Sequence, residues 1–118
     1  MPADDAPDPP LTCCEFFAGM GLMGLAVERV GGRVVWASDF DPVKNKLHRA
    51  LLALRGRDGA FPLDSRDIHE LTPAHVPAAA LWSASFPCTD LSLAGKGRGI
   101  HAGQSAAVWQ LLELLRQS

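Results

Sequence analysis

The sequence lacks several features that would place it in well-known protein classes. No run of residues approaches the roughly 18 consecutive apolar positions of a membrane helix, and residues 1–10 contain no basic, apolar leader for a signal peptidase. Three cysteines, Cys13, Cys14 and Cys88, are an odd number with one adjacent pair, which is poor material for a disulfide framework. With 11 Lys and Arg against 13 Asp and Glu, the net charge of −2 lacks the basic excess of a small nucleic-acid-binding domain. These absences favour a cytoplasmic protein in a reducing compartment.

The composition is that of one globular domain preceded by a short leader. Hydrophobic residues make up 47% of the 118 positions and charged residues 20%, so the chain has enough apolar surface to bury a core. Residues 1–10, MPADDAPDPP, contain four prolines and three aspartates and are predicted to be disordered. The domain is expected to cover residues 11–118.

Short apolar runs alternate with amphipathic segments along this domain. The first half is predicted to contain a strand over Leu11–Phe17, a helix over Leu22–Val30, a strand over Arg33–Ser38 and a helix from Pro42 with Asp41 as its N-cap. The second half is predicted to contain a short strand near Phe61–Leu63, a brief helix within 71–77, a strand over Leu81–Phe86 and a helix over Ala106–Gln117. Val108, Leu111, Leu112 and Leu115 are predicted to share the apolar face of the last helix. This alternation predicts an α/β fold with a doubly wound parallel sheet, whose ligands bind at the carboxyl ends of the strands.

A glycine-containing turn, Phe17-Ala18-Gly19-Met20-Gly21, joins the first strand to the first helix. Glycines allow a tight turn and a close approach of the backbone to a ligand, and the helix N-terminus offers free N–H groups. Many strand-to-helix turns contain two glycines for steric reasons alone, so this motif by itself leaves both readings open.

An acidic residue at the end of the second strand strengthens the ligand hypothesis. Asp39 follows Gly21 by 18 positions, close to the spacing of roughly 20 at which a carboxylate meets ribose hydroxyls in nucleotide-binding α/β domains. Phe40 is placed to stack on an adenine, and Asp67 to accept from its exocyclic amine. The competing interpretations are a helix cap for the aspartates near Pro42 and a routine core position for Phe40. No Lys or Arg stands right beside Asp39, and we expect a nucleoside-like ligand without a pyrophosphate.

The segment Ser85-Phe86-Pro87-Cys88-Thr89-Asp90-Leu91-Ser92 lies at the carboxyl end of the fourth predicted strand, at the same edge of the sheet. A helix N-terminus and the nearby Lys96 or Arg98 would favour the thiolate of Cys88, as in a nucleophilic cysteine. A small buried hydrophobe is the alternative for an isolated cysteine, and it is the preferred interpretation of Cys13 and Cys14. No second cysteine or histidine stands near Cys88 at metal-ligand spacing, so no metal site is expected.

Taken together, EFFAGMG, Asp39-Phe40, Asp67-Ile68 and SFPCTDLSLAGKGRG resemble, in order and spacing, the motifs of the cytosine carbon-5 DNA methyltransferases. The resemblance implies a Rossmann-like methyltransferase fold that binds S-adenosylmethionine and acts in DNA methylation, as in restriction–modification. It assigns residues 17–21 to the loop that holds the methionine end of the cofactor. Phe17, Gly19 and Gly21 match the family's positions, and Ala18 and Met20 lie between them. Asp39 corresponds to the acid that binds the ribose, and Phe40 to the aromatic ring that stacks on the adenine. Asp67, with Ile68 beside it, corresponds to the acceptor for the adenine amine. Cys88 becomes the nucleophile.

The family's chemistry requires a cysteine, because thiolate addition at carbon 6 of cytosine makes carbon 5 nucleophilic towards the methyl group. The cytosine must leave the duplex to present that carbon, and Pro87 is expected to fix the loop that carries the sulfur.

The family's Glu-Asn-Val motif, Arg-x-Arg motif and target-recognition region do not occur before Ser118. We therefore expect a truncated or split part of such an enzyme, inactive alone, whose partners are double-stranded DNA and a complementary chain with the missing catalytic glutamate. Two alternatives stay open: a non-catalytic S-adenosylmethionine-binding remnant and an RNA cytosine-5 methyltransferase. In all of them, the strand Leu81–Phe86 would form an apolar sheet edge that needs a partner.

Overall fold

Four parallel strands form a single sheet in the computed structural model, which describes residues 8–86 and 106–118. The strands are β1 (Thr12–Phe16), β2 (Arg33–Ser38), β3 (Leu63–Asp64) and β4 (Leu81–Ala84). Their order across the sheet is β3-β2-β1-β4, with β1 hydrogen-bonded to both β2 and β4. The parallel sheet and its strand alternation confirm the predicted α/β class.

Three helices and two 3₁₀ turns accompany the described strands. Helix α1 covers Leu22–Arg29, α2 covers Pro42–Leu54 and α3 covers Ala106–Gln117, while the 3₁₀ turns cover Ile68–Glu70 and Pro73–His75. Asp41 caps α2 as predicted, since its Oδ1 accepts from the N–H groups of Val43 and Lys44 at 2.9 and 3.3 Å. The 3₁₀ turn Pro73–His75 takes the place of the brief helix expected within 71–77, and the 3₁₀ turn Ile68–Glu70 was not predicted.

Helices cover both faces of the sheet. On one face α1 packs closely enough that a Cβ at Gly24 would lie 2.6 Å from the Glu15 carboxylate and 3.0 Å from Val34. Helix α2 lies beside α1, joined to it by the ion pair between Arg55 and Glu28. The other face carries the main apolar cluster, which is formed by Cys14, Phe16, Trp36, Ile68, Leu71, Ala107, Leu111 and Leu114. Alternate residues of β1 therefore serve different layers, as a doubly wound sheet requires.

The ends of two strands differ from the sequence prediction. β3 forms at Leu63–Asp64 rather than Phe61–Leu63, because Pro62 has no N–H for the ladder and contributes only its carbonyl, which accepts from Ala37. β4 ends at Ala84 rather than Phe86, since its partner β1 ends at Phe16, opposite Ala84. β4 is nevertheless the edge strand of the described sheet, as expected.

The apolar face of α3 is also different from the prediction. The buried residues are Ala107, Leu111 and Leu114, while Leu112 and Leu115 are about half exposed. This helix is apolar on most of its circumference, so periodicity alone could not identify the side that packs on the 3₁₀ turns.

Within residues 8–86 and 106–118, no helix is long and apolar enough to cross a membrane. The same residues contain no cluster of three or more His, Cys, Asp or Glu side chains suited to a metal ion. Residues 1–7 of the predicted leader, together with residues 87–105, lie outside the described part of the chain.

Candidate functional site: a cavity at the carboxyl ends of the strands

The turn after β1 is held in an unusual backbone conformation. Gly19 and Gly21 have φ of 57° and 84°, and Phe17 has φ of 52°, a left-handed value that costs a non-glycine residue roughly 1–2 kcal/mol. Two backbone hydrogen bonds stabilise the turn: Ala18 N–H donates to the Ser38 carbonyl at 2.9 Å, and Gly21 N–H donates to the Ala18 carbonyl at 2.8 Å. The turn is thus attached to the end of β2. The space beside Gly19 is open, since a Cβ there would meet no atom within 4 Å.

Asp39 links this turn to the start of α2. Its Oδ2 accepts from the N–H of Gly19 and its Oδ1 from the N–H of Asp41, both at 2.9 Å. Its carbonyl accepts from the Asn45 side chain at 2.6 Å. Asp39 as a residue is 9% exposed, and its two carboxylate oxygens offer about four acceptor positions, so acceptor capacity remains for a ligand.

A cavity of about 150 Å³ opens beside Asp39. It brings together five of the residues singled out from the sequence, namely Phe17, Asp39, Phe40, Asp67 and Ile68. Phe40 is 53% exposed at its rim, whereas Ile68 belongs to the buried apolar cluster. Residues 18–21 do not line the cavity; Ala18, Gly19, Met20 and Gly21 belong to the turn that borders Asp39.

Asp67 has a local structural role as well as a place in the cavity wall. It caps the first 3₁₀ turn: its Oδ1 accepts from the His69 N–H at 2.9 Å and lies 2.7 Å from His69 Nδ1. The backbone hydrogen bond from His69 is the main cause that lowers the pKa of Asp67 below its ordinary value. The carboxylate is therefore ionised at neutral pH and available as an acceptor.

Four further residues line the same cavity without having been singled out from the sequence: Ser38, Arg66, His69 and Ala107. Ser38, Arg66 and His69 are immediate neighbours of Asp39 and Asp67, so proximity along the chain is a usable signal for them. Ala107 lies on α3, and no sequence pattern connects it to the other three.

Buried polar side chains support the turn from the α1 and α2 side. A Cβ at Gly21 would lie 2.1 Å from His48 Nε2, so the imidazole of this 2% exposed residue packs directly against the turn. Burial lowers the pKa of His48 and keeps it neutral. Beneath α1, burial raises the pKa of Glu15 to about 7, an effect that the N–H groups of Gly24 and Met23 partly offset. Among the described residues, Glu15 Oε2, Asn45 Oδ1 and His48 Nδ1 have no hydrogen-bond partner.

The two cysteines of β1 are unsuited to nucleophilic chemistry. Both are fully buried and unpaired, and burial raises the pKa of Cys14 to about 11 and that of Cys13 in the same direction. They are small core residues, in agreement with the sequence interpretation. Pro87 and the predicted nucleophile Cys88 lie outside the described residues.

Known proteins provide an independent comparison. Type II methyltransferase M.NgoBI of Neisseria gonorrhoeae is 28% identical over 102 residues, which are 86% of this chain and 30% of the relative. Type II methyltransferase M2.BsuMI of Bacillus subtilis (strain 168) is 32% identical over 101 residues, covering 86% of this chain and 24% of the relative. The chain thus spans about a quarter to a third of the length of these relatives.

The fold comparison agrees with the sequence comparison. The bifunctional kinase-methyltransferase WbdD superposes with a TM-score of 0.53 at 18% identity over 89% of this chain and 22% of its own. The family model described as "C-5 cytosine-specific DNA methylase" matches residues 11–118, almost the whole chain. This match, together with the order of the motifs and the parallel sheet, shows that the chain belongs to the C-5 cytosine-specific DNA methylase family.

Proposed function

We propose that this chain is the S-adenosylmethionine-binding and nucleophile-bearing part of a DNA (cytosine-5)-methyltransferase. The observation that carries the proposal is the cavity beside Asp39, which joins an acidic residue from the end of β2 to an aromatic ring and a second carboxylate. Its position at the carboxyl ends of parallel strands is the usual ligand position in this architecture. The Type II methyltransferases named above support the same activity for the whole enzyme.

The residues of the cavity fit the adenosine end of the cofactor. Asp39 accepts hydrogen bonds, so it would bind the two ribose hydroxyls. Phe40, half exposed at the rim, would stack on the adenine, while Ile68 supplies an apolar floor. Asp67 would accept from the exocyclic amine. At about 150 Å³ the cavity suits this end of the ligand alone, because pockets for whole drug-sized ligands start at roughly 300 Å³.

The turn at residues 17–21 would hold the methionine end. Gly19 leaves open space next to the backbone, and Ala18, Met20 and Gly21 continue the turn towards the N-terminus of α1. When bound, S-adenosylmethionine supplies the methyl group that is transferred to carbon 5 of cytosine.

Cys88 would act on the base. Its thiolate adds to carbon 6, and the ring electrons then make carbon 5 nucleophilic; loss of the carbon-5 proton later restores the double bond and releases the thiolate. Pro87 would restrict the backbone next to the sulfur. This step needs a cytosine flipped out of double-stranded DNA.

The remaining functions of the enzyme would come from another polypeptide segment. The chain covers 24–30% of the relatives named above, so the catalytic glutamate and the target-recognition region are assigned to a complementary part. The 118 residues alone are proposed to bind the cofactor without turnover.

Cofactor binding is the direct test. Isothermal titration calorimetry with S-adenosylmethionine should show binding to the chain, and Asp39→Asn should weaken it about 10- to 100-fold, because hydrogen bonds to charged groups contribute about 1.5–3 kcal/mol. Asp58→Asn, on an exposed turn, is the matched control and should bind as the original chain does. Absence of binding by the folded chain, or equal affinity for both variants, would refute the proposal.

The nucleophile is tested separately from the cofactor site. With the complementary segment supplied, DNA containing 5-fluorocytosine should become covalently attached to the chain, and Cys88→Ser should abolish the adduct. An adduct that survives this substitution excludes Cys88 as the nucleophile. S-adenosylmethionine binding without any adduct would identify a cofactor-binding remnant, and an adduct with RNA alone would identify an RNA methyltransferase.

A further inference from the structure

Positive charge is concentrated in one quarter of the chain. Although the net charge of the protein is −2, residues 29–57 contain seven of its 11 basic residues: Arg29, Arg33, Lys44, Lys46, Arg49, Arg55 and Arg57. The same segment has two acids, Asp39 and Asp41, and both lie at the carboxyl ends of the strands. Lys44 and Lys46 lie in the first turns of α2, at the same end as these two acids. Arg29, Arg33, Arg55 and Arg57 lie at the opposite end, which is basic although Glu28 and Asp58 flank the segment.

A large open hollow lies at this basic end. It has a volume of about 880 Å³ and is lined by Pro10, Leu25, Glu28, Arg29, Gly32, Arg33, Arg55, Arg57 and Ala60. Arg33 begins β2 and Asp39 follows its end, so the hollow and the cofactor cavity are about 20 Å apart along the strand, at a rise of about 3.3 Å per residue. The two sites can be occupied independently.

Two of the arginines are oriented by a single glutamate. Glu28 accepts from Arg55 at 2.5 Å and from Arg57 at 2.6 Å, and its side chain is only 14% exposed. Hydrogen bonds and charge from the two guanidinium groups lower the pKa of Glu28 despite its burial, so the carboxylate remains ionised. A guanidinium has five N–H donors, so each arginine keeps free donors in a restricted orientation.

The other two arginines are uncompensated. Arg29 and Arg33 are exposed and make no ion pair within residues 8–86 and 106–118. Four guanidinium groups against one carboxylate give the wall of the hollow a net charge of +3. Such a wall selects anionic groups, and arginine forks match phosphate oxygens in particular.

We propose that this hollow binds the phosphate backbone of DNA, as a second contact at the end of the sheet opposite the cofactor cavity. It is wide and open, which suits successive phosphates of a strand better than one small anion. The choice of DNA among polyanions rests on the function proposed above. The contact is independent of base sequence, and it holds DNA to a chain whose overall charge is negative.

Fluorescence anisotropy with a labelled DNA duplex and the full 118-residue chain tests the proposal. If the arginines neutralise three to four phosphates, the logarithm of the association constant should fall with the logarithm of the salt concentration with a slope of about −3. The affinity should then fall by on the order of 100-fold between 50 and 200 mM salt. Arg29→Glu and Arg33→Glu should each weaken binding by about fivefold or more and reduce the slope by about 1.

Arg116→Glu is the matched control, because it makes the same change in charge at an exposed arginine of α3 that pairs with Glu113. This variant should bind DNA as the original chain does. Equal weakening by all three variants would overturn the proposal in favour of a net-charge effect, and so would absence of DNA binding at 50 mM salt. Competition by polyglutamate as effective as that by DNA would assign the hollow to an acidic protein instead.

S-adenosylmethionine binding is measured on the same samples. Loss of DNA binding with cofactor binding retained shows that Arg29→Glu and Arg33→Glu are folded and locates the effect in the hollow. A chain that binds DNA through these arginines but not the cofactor would refute the cofactor function alone.

Discussion

Gly21 occupies a position at which even one methyl group has two separate costs. Its φ of 84° is unfavourable for an L-residue, and a Cβ would lie 2.1, 2.5 and 2.8 Å from three atoms of the His48 ring. Because His48 is 2% exposed, the ring cannot turn into solvent to make room. The Gly21→Ala variant therefore combines backbone strain with overpacking.

The two costs can be estimated and separated. The left-handed conformation costs roughly 1–2 kcal/mol, and overpacking a buried site typically costs about 1–3 kcal/mol, so Gly21→Ala should destabilise the fold by about 2–5 kcal/mol. Gly59 has a similar φ of 72°, but a Cβ there would meet nothing within 4 Å. Gly59→Ala should therefore cost only the first amount, about 1–2 kcal/mol.

Urea unfolding followed by tryptophan fluorescence measures these changes, since Trp36 is buried in the core. His48→Ala, combined with Gly21→Ala, should remove the overlap and give a coupling energy of about 1–3 kcal/mol in the double-mutant cycle. Equal destabilisation by the two glycine variants, or a coupling energy near zero, would show that His48 does not press against the turn and would refute the reasoning.

Three other outcomes follow from particular contacts. Burial raises the pKa of Glu15 from 4.5 to about 7, so the stability that this group contributes is fully present below pH 4.5. About 3 kcal/mol of it should be lost as pH rises through 7. Urea unfolding at a series of pH values should show this loss, and Glu15→Gln should remove it. Phe40→Ala should weaken S-adenosylmethionine binding by roughly 5- to 100-fold with little change in melting temperature. Calorimetry measures both quantities, with Leu54→Ala as a control at an exposed position. Equal affinities of the two variants would exclude stacking by Phe40. Asp41→Ala should lower stability by about 1 kcal/mol in urea unfolding, because α2 loses a side chain that accepts two N–H groups; an unchanged midpoint would exclude the cap.

Much of the fold could be predicted because local signals agreed with one another. The capping by Asp41, the proline at the start of α2 and the glycine turn after β1 are encoded within a few residues of the elements they delimit. Strand ends were less predictable. The end of β4 depends on where its partner β1 turns away at Phe17, and that partner is about 70 residues distant in the chain.

For the candidate site, the amino-acid sequence identifies the chemical groups: the glycine turn, the acid after β2 with its aromatic neighbour, and a second acid after β3. These groups can be predicted from residue types and their spacing along the chain. In an alternating strand–helix sequence, the residues that follow each strand lie at the same edge of the parallel sheet. It also determined the family, through the order of motifs that no single motif could establish.

What each group contacts depends on the tertiary structure. It placed Ala107 of α3 in the cavity wall, selected Leu114 over Leu115 for the core, and set His48 against Gly21. It also brought arginines from α1, from β2 and from the segment after α2 to one hollow. These contacts join segments far apart in the chain, and they depend on how helices pack on the sheet, which residue spacing alone does not specify.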